Sequence, residues 1–207
     1  TRNAHYQLPV YRTKRTMTLP EFILEGTAYN AKHARLQNEG SGLTNFKQGI
    51  PFPSLDGDNQ TAALQSIWNH IARYRGGNIE RRVIQATVFD DDKFVPIKFY
   101  QRYTRAEHLA GTTLSDSIRN STDGDSNILF YYLDRIISPS RLSGATMLIH
   151  ETLDQSKEKR RAWVYSQAYR RVRRAPAIAY DTPGPSTYGL RTADSYDMYN
   201  GSPDKYL

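Results

Sequence analysis

Five histidines, two acidic clusters and one dense run of arginines are the residues of this chain that could do chemistry. His5, His33, His70, His108 and His150 show no HExxH or comparable spacing that would bring two imidazoles onto one metal ion. His150 and Glu151 are adjacent, but neighbours on a strand face opposite sides of a sheet, so the histidine reads as structural. Asp90-Asp91-Asp92 and Asp123-Gly124-Asp125 offer the oxygens that calcium favours, yet neither continues into an EF-hand loop with its closing glutamate. Turn formation accounts for both. There is no GxSxG, P-loop or GxGxxG pattern, and the absence of cysteine removes disulfides, thiolate metal sites and thiol nucleophiles. The chain therefore reads as non-enzymatic, with no metal and no cofactor.

The arginines are more informative. The net charge is +7, and eight Lys or Arg fall between Lys157 and Arg174 against one acid, Glu158. The excess is thus a patch. Trp163, Tyr165 and Tyr169 interleave with the arginines in the manner of a single-strand nucleic-acid binder. Nothing resembling an RRM, KH or helix-turn-helix signature supports that reading, and no nucleic-acid partner is expected. Two alternatives stay open. The patch is a solvated hairpin face paired with Asp181, Asp194 and Asp197, or it is a docking face for an anionic lipid or lipoprotein partner. On an extended strand, Arg171 and Arg173 share one side while Arg170 and Arg174 share the other, so one of those pairs is expected to turn inward and clamp the proline-rich loop beyond. These four arginines are the candidate docking residues.

Several elements must position these groups. Arg160 to Tyr165 and Tyr169 to Arg173 are short, rich in Val, Tyr and Trp, and separated by a segment short enough to reverse the chain, which predicts a hairpin. Its pleat sends Arg161, Trp163 and Tyr165 one way, and Arg160, Ala162 and Val164 the other. Upstream, Arg81 to Phe89, Phe94 to Tyr103, Asn127 to Ile137 and Ala145 to Leu153 are further strand-like runs divided by short polar turns, predicting an antiparallel meander. The first half of NILFYYLDRII, from Asn127, is apolar on both faces and so requires cover on both. Gln60 to Tyr74 is the strongest helix: Ala63, Ile67, His70, Ile71 and Tyr74 recur at helical spacing, Asp58 or Asn59 can cap it, and Gly76-Gly77 ends it. Leu19-Pro20-Glu21 predicts one helical turn through Leu24. Tyr6 to Thr16 is expected to be extended, and the long connection from Thr104 to Ser126 is expected to form a flap.

Composition sets bounds. At 207 residues and 38% hydrophobic content, with a mean hydropathy of -0.69, one domain with a modest core is expected. No run approaches the roughly 20 apolar residues of a membrane helix. TRNAHYQLP lacks the apolar region of a signal peptide, so the expectation is a soluble chain whose export signal has been removed.

Long segments carry a family likeness. GIPFP (49–53), IWNHIARYRG (67–76), ILFYYL (128–133), HETLDQ (150–155), RRAWVY (160–165), YRRVRRAPAIAYDTP (169–183) and GLRTADSYDMYNGSPDKY (189–206) together resemble a bacterial envelope family of unknown function. Its members are described as outer-membrane lipoprotein-sorting proteins and are related in fold to the carriers LolA and LolB. The resemblance tips Tyr29 to Leu36 toward a strand. It implies a mostly β, α+β fold in which a curved antiparallel sheet, a LolA-like half-barrel, has a helix across one face. It also implies that residues 1–207 are the N-terminal part of a single lipid-carrier domain, leaving some strands without partners.

The same resemblance implies a periplasmic, non-enzymatic carrier of lipid, lipoprotein acyl chains or another hydrophobic ligand. The alternative is an adaptor docking onto an envelope transporter or outer-membrane protein, with peripheral membrane contact. An apolar cleft would be lined by Trp68 and Ile71 from the helix and by Phe99, Phe130 and Tyr132 from the sheet.

Overall fold

A computed structural model describes residues 18–91, 93–105, 127–175, 181–184 and 187–195. The expected extended segment at 6–16 and most of the expected flap lie outside them. Helix α1 (Glu21–His33) comes first, followed by β1 (Arg35–Gln37), a tight turn at Asn38–Gly40 and β2 (Gly42–Thr44), then helix α2 (Asn59–Ile71). Six strands follow: β3 (Ile79–Val88), β4 (Phe94–Arg105), β5 (Ile128–Ser138), β6 (Thr146–Thr152), β7 (Arg161–Ser166) and β8 (Arg171–Arg174). They pair in sequential order, each antiparallel to its neighbours, into one open sheet with β3 and β8 at its edges. The sheet is not closed into a barrel, so the fold is α+β, mostly β, with an antiparallel meander as the sequence predicts.

Registers define which side chains share a face. Tyr103 opposes Ile79 and Tyr132, Tyr132 opposes Ile149, and Ile149 opposes Ala162. One step along, Gln101 opposes Arg81 and Asp134, and Asp134 opposes Met147. Because the side-chain period on a strand is two, these rows lie on one face, here called the inner face. Trp68, Ile71 and Ala72 of α2 and the residue after it pack there with Tyr103 and Phe130, together with Ala34, Leu43, Phe46 and Phe52. At the far end of the same face, Ile97, Phe99 and Ile136 form a second cluster against Leu142 and Ala145 of the β5–β6 turn. Between the two clusters the face is left for the site.

Helix α2 starts where its cap predicts, with the Thr61 amide donating to Asp58 Oδ2 at 2.8 Å. It ends at Ile71, earlier than the glycines suggest. The Trp68 indole is fully buried and donates to the Gly40 carbonyl at 2.8 Å, pinning the β1–β2 turn to the helix. That turn needs Gly40: its φ is +91°, and a Cβ there would come within 2.7 Å of a Leu64 methyl. The β1–β2 ribbon is tied in turn to the sheet through a bridge between Gly42 and Asp154.

Residues 29–33 are helical, correcting the strand expected from Tyr29, and the single turn expected at Glu21 runs on for 13 residues as α1. The buried side of α1 is Ile23, Gly26 and Asn30. These recur at helical spacing, but only Ile23 is an apolar side chain of any size, so hydrophobic periodicity does not reveal them. Asn30 holds the helix in place: its amide donates to the carbonyls of Lys47, Gln48 and Ile50 at 3.1–3.2 Å, and its oxygen accepts from the Lys47 amide at 2.8 Å. A buried polar side chain so satisfied stabilises a specific docking rather than a generic apolar contact.

Candidate functional site

Between the two inner-face clusters lies a cavity of about 360 Å³. Its floor is the sheet: Ile79 and Arg81 from β3, Gln101 and Tyr103 from β4, Phe130, Tyr132 and Asp134 from β5, Met147 and Ile149 from β6. One wall is the segment leaving α2, Arg73 to Arg75, and the other is formed by Gly184, Arg191 and Ala193. Each wall has a local cause. The chain after α2 turns at Gly76, whose φ is +100°. The second wall is a small loop closed on itself, with the Gly184 amide donating to the Arg191 carbonyl at 2.7 Å and the Ala193 amide to the Thr182 carbonyl at 2.8 Å.

The floor is apolar in one row and polar in the next. Tyr103, Tyr132 and Ile149 stand beside Phe130, and the Tyr103 and Phe130 ring centroids are 4.9 Å apart. The adjacent row holds Arg81, Gln101 and Asp134, with Arg81 Nε donating to Gln101 Oε1 at 2.9 Å. Burial pushes the Asp134 carboxyl up to about 6, against the opposing pull of its Gln101 hydrogen bond, the Arg191 and Arg81 guanidinium groups and a Tyr132 hydrogen bond. At the helix end, Arg160 lines the cavity and is buried with Glu151, to which it donates from Nε at 2.8 Å and from Nη2. Arg75 lies over the Tyr103 ring, its guanidinium carbon 5.4 Å from the centroid. Among the described residues there is no cluster of His, Asp or Glu suited to a metal ion. The arrangement sets an apolar row beside a polar row, with guanidinium groups at the rim.

Of the five residues expected around a cleft, Phe130 and Tyr132 line the cavity. Trp68 and Ile71 sit in the core that joins α2 to the sheet, at 0% and 2% exposure, and Phe99 sits in the second cluster at 3%. Sequence reasoning missed Arg73, Arg75, Arg81, Asp134 and Arg191. One signal was present: Asp134 shares strand parity with Phe130, Tyr132 and Ile136, so a lone acid stands on an otherwise apolar face. Its inward position implies a basic partner across the sheet, and Arg81 occupies the matching row two strands away.

The four hairpin arginines lie elsewhere. Arg171, Arg173 and Arg174 are on edge strand β8, Arg170 is in the turn before it with φ of 49°, and all four are exposed. Arg173 lies over the Tyr169 ring at 5.5 Å. The expected clamp onto Asp181 or Asp194 is not formed among the described residues. Among the described residues the short strand β8 pairs only with β7, and its arginines are exposed, so none is forced inward. Asp194 instead accepts from the Thr192 hydroxyl, and Asp197 lies outside the described residues. The hairpin's pleat is as expected: Arg160 and Ala162 are buried on the inner side, while the Trp163 ring meets His150 at a tilt, centroids 4.6 Å apart, on the outer side.

The fold and cavity define a class, an open antiparallel sheet carrying one small amphipathic receptacle between its covering helix and a loop. The chain belongs to the family described as "Protein of unknown function (DUF1329)", whose model matches residues 1–207. It is similar to the uncharacterized protein PA3922 of Pseudomonas aeruginosa, at 44% identity over 201 residues, which is 97% of this chain and 41% of that protein. The chain thus spans about two fifths of that relative's length. No solved structure matches. Neither description mentions LolA, LolB, lipoprotein sorting or a cellular compartment.

Proposed function

We propose that this protein is a non-enzymatic carrier of a lipid or other amphiphile, working in the periplasm with envelope transport machinery. The observation that supports this most is the inner-face cavity of about 360 Å³, with Tyr103, Phe130, Tyr132, Met147 and Ile149 on its floor. Hiding an acyl chain from water contributes about 0.8 kcal/mol per methylene. A few methylenes therefore give useful affinity through burial alone. The open sheet with a helix across it is the architecture expected of a LolA-like half-barrel, and that likeness is part of the same proposal.

Uptake of a fluorescent fatty acid tests the reading. Wild type should bind it saturably, and Met147→Trp, which fills the cavity, should reduce binding at least about ten-fold. Phe130→Asp should abolish it, though a charge at a site 2% exposed also threatens the fold. No saturable uptake by folded wild type sinks the proposal.

A second reading is supported by the exposed arginines of the β8 edge. Here the protein is an adaptor that docks through Arg170, Arg171, Arg173 and Arg174 onto an acidic or phosphate-bearing partner at the membrane. An empty protein that captures an envelope transporter favours the adaptor over the carrier.

A further inference from the structure

Two buried oxygens among the residues of the cavity floor are left without partners. Tyr103 and Asp134 both line the cavity. Tyr103 is 8% exposed, and its hydroxyl has no hydrogen-bond partner among the described residues. Asp134 Oδ1 has none there either. Burying a polar atom unpaired is costly, so each oxygen marks a place where a polar group of an occupant would be stabilised. The register brings the two together. Tyr103 opposes Tyr132 on β5, and Asp134 follows Tyr132 by two residues on the same strand, which makes Tyr103 and Asp134 diagonal neighbours on the inner face, roughly 7–8 Å apart. One polar head between the two side chains can meet both. Their demands differ, because the phenol has a proton to donate whereas an oxygen of an ionised carboxylate only accepts.

We infer that the ligand is an uncharged, hydroxyl-headed amphiphile with a single apolar tail, its head accepting from the Tyr103 hydroxyl and donating to Asp134 Oδ1 while the tail lies against Phe130, Tyr132 and Ile149. This rests on the carrier reading and names its substrate class. A hydroxyl is the simplest group that donates and accepts at one atom. An ether or ester oxygen only accepts, which leaves Asp134 Oδ1 unmet, and an ammonium only donates, which leaves the Tyr103 proton unmet. A carboxylate also only accepts, so a fatty acid binds through its tail and less tightly than the matching alcohol. Size supports the single tail: about 360 Å³ is near the low end of the roughly 300–1,000 Å³ of drug-sized pockets.

Calorimetric titration at pH 8 tests the inference with two isomers of equal size, 1-octanol and heptyl methyl ether, of which only the alcohol can donate. Asp134 is ionised at that pH, since its carboxyl titrates at about 6, and Gln101, Tyr132, Arg81 and Arg191 are the groups that face it. Wild type should bind the alcohol at least about ten-fold more tightly than the ether, because a hydrogen bond to a charged acceptor is of the stronger kind. In Asp134→Leu that preference should fall below about two-fold. Tyr103→Phe should bind the alcohol at least about three-fold more weakly than wild type. Without ligand it should melt no more than about 2 °C below wild type, because deleting an unpaired hydroxyl breaks no hydrogen bond. A larger drop would show that the hydroxyl is already paired inside the protein, and a preference that survives Asp134→Leu would show that the carboxylate does not select the head; either overturns the assignment. The wild-type pair of probes decides the matter if a variant fails to fold. Equal affinity for alcohol and ether overturns the head assignment and leaves the carrier standing, whereas failure of both to bind removes the carrier reading itself.

Discussion

Arg160 and Glu151 form a buried ion pair at the helix end of the cavity: Glu151 Oε2 accepts from both Nε and Nη2 of Arg160, and each side chain is only 3% exposed. Arg160 immediately precedes β7, and Glu151 opposes Phe130 on β5, so the pair ties the hairpin to the cavity floor. Removing one partner takes its two hydrogen bonds away from the other buried charge, which costs about 3–5 kcal/mol.

Glu151→Ala should therefore lose about 3–5 kcal/mol in urea unfolding, while the double change Glu151→Leu/Arg160→Met should recover most of it. A single-variant loss below about 1 kcal/mol would mean that the pair is not the structural tie described.

Asp134 sets a pH dependence with a definite sign. Its folded carboxyl titrates at about 6, against 3.8 for the ordinary group. A raised acid favours the folded state most below the unfolded value, and that contribution is lost as pH rises through about 6. The difference corresponds to about 3 kcal/mol at most. Measured by urea unfolding across pH 4 to 8, wild type should lose stability relative to Asp134→Asn as pH rises, and the variant should be the more stable at pH 8. Parallel curves would show that burial does not govern this carboxyl.

Trp68 separates core from cavity. Trp68→Phe removes the donor to Gly40 and should cost about 1–3 kcal/mol of stability, without changing fatty-acid affinity in the folded fraction. Weaker uptake at unchanged stability would move Trp68 into the binding site.

The β8 arginines are exposed and make no ion pair among the described residues, so Arg171→Glu/Arg173→Glu should leave the thermal midpoint within about 2 °C of wild type. If the edge docks on an anionic surface, the same variant should lose cosedimentation with anionic vesicles. Retained cosedimentation would remove the docking role.

How legible all this was depended on what marked each element. The six strands could be read because alternation and polar turns are local: RAWVY and FVPIKFY carry the two-residue period that the pleat imposes. Helix α2 was legible from its spacing and its Asp58 cap. Helix α1 was legible only in its first turn, because Gly26 and Asn30 bury themselves through a close approach and side-chain hydrogen bonds, which no hydropathy pattern records. Gly26 packs so tightly that a Cβ would come within 2.1 Å of the Gln48 carbonyl oxygen. The cavity's cations were hidden for another reason. Arg81, Arg160 and Arg191 are far apart in sequence and converge only through the meander's register and the loop that folds back over it. The dense arginine run from 170 drew attention by its spacing, yet the edge strand leaves it outside the cavity.

The carrier account is tested most directly by native mass spectrometry of the delipidated protein after mixing with dodecanoic acid, in wild type and Met147→Trp. The account predicts one added fatty-acid mass on wild type and none on the variant at the same concentration. Bare protein in both, with the wild type folded, or equal adducts on both, would contradict it.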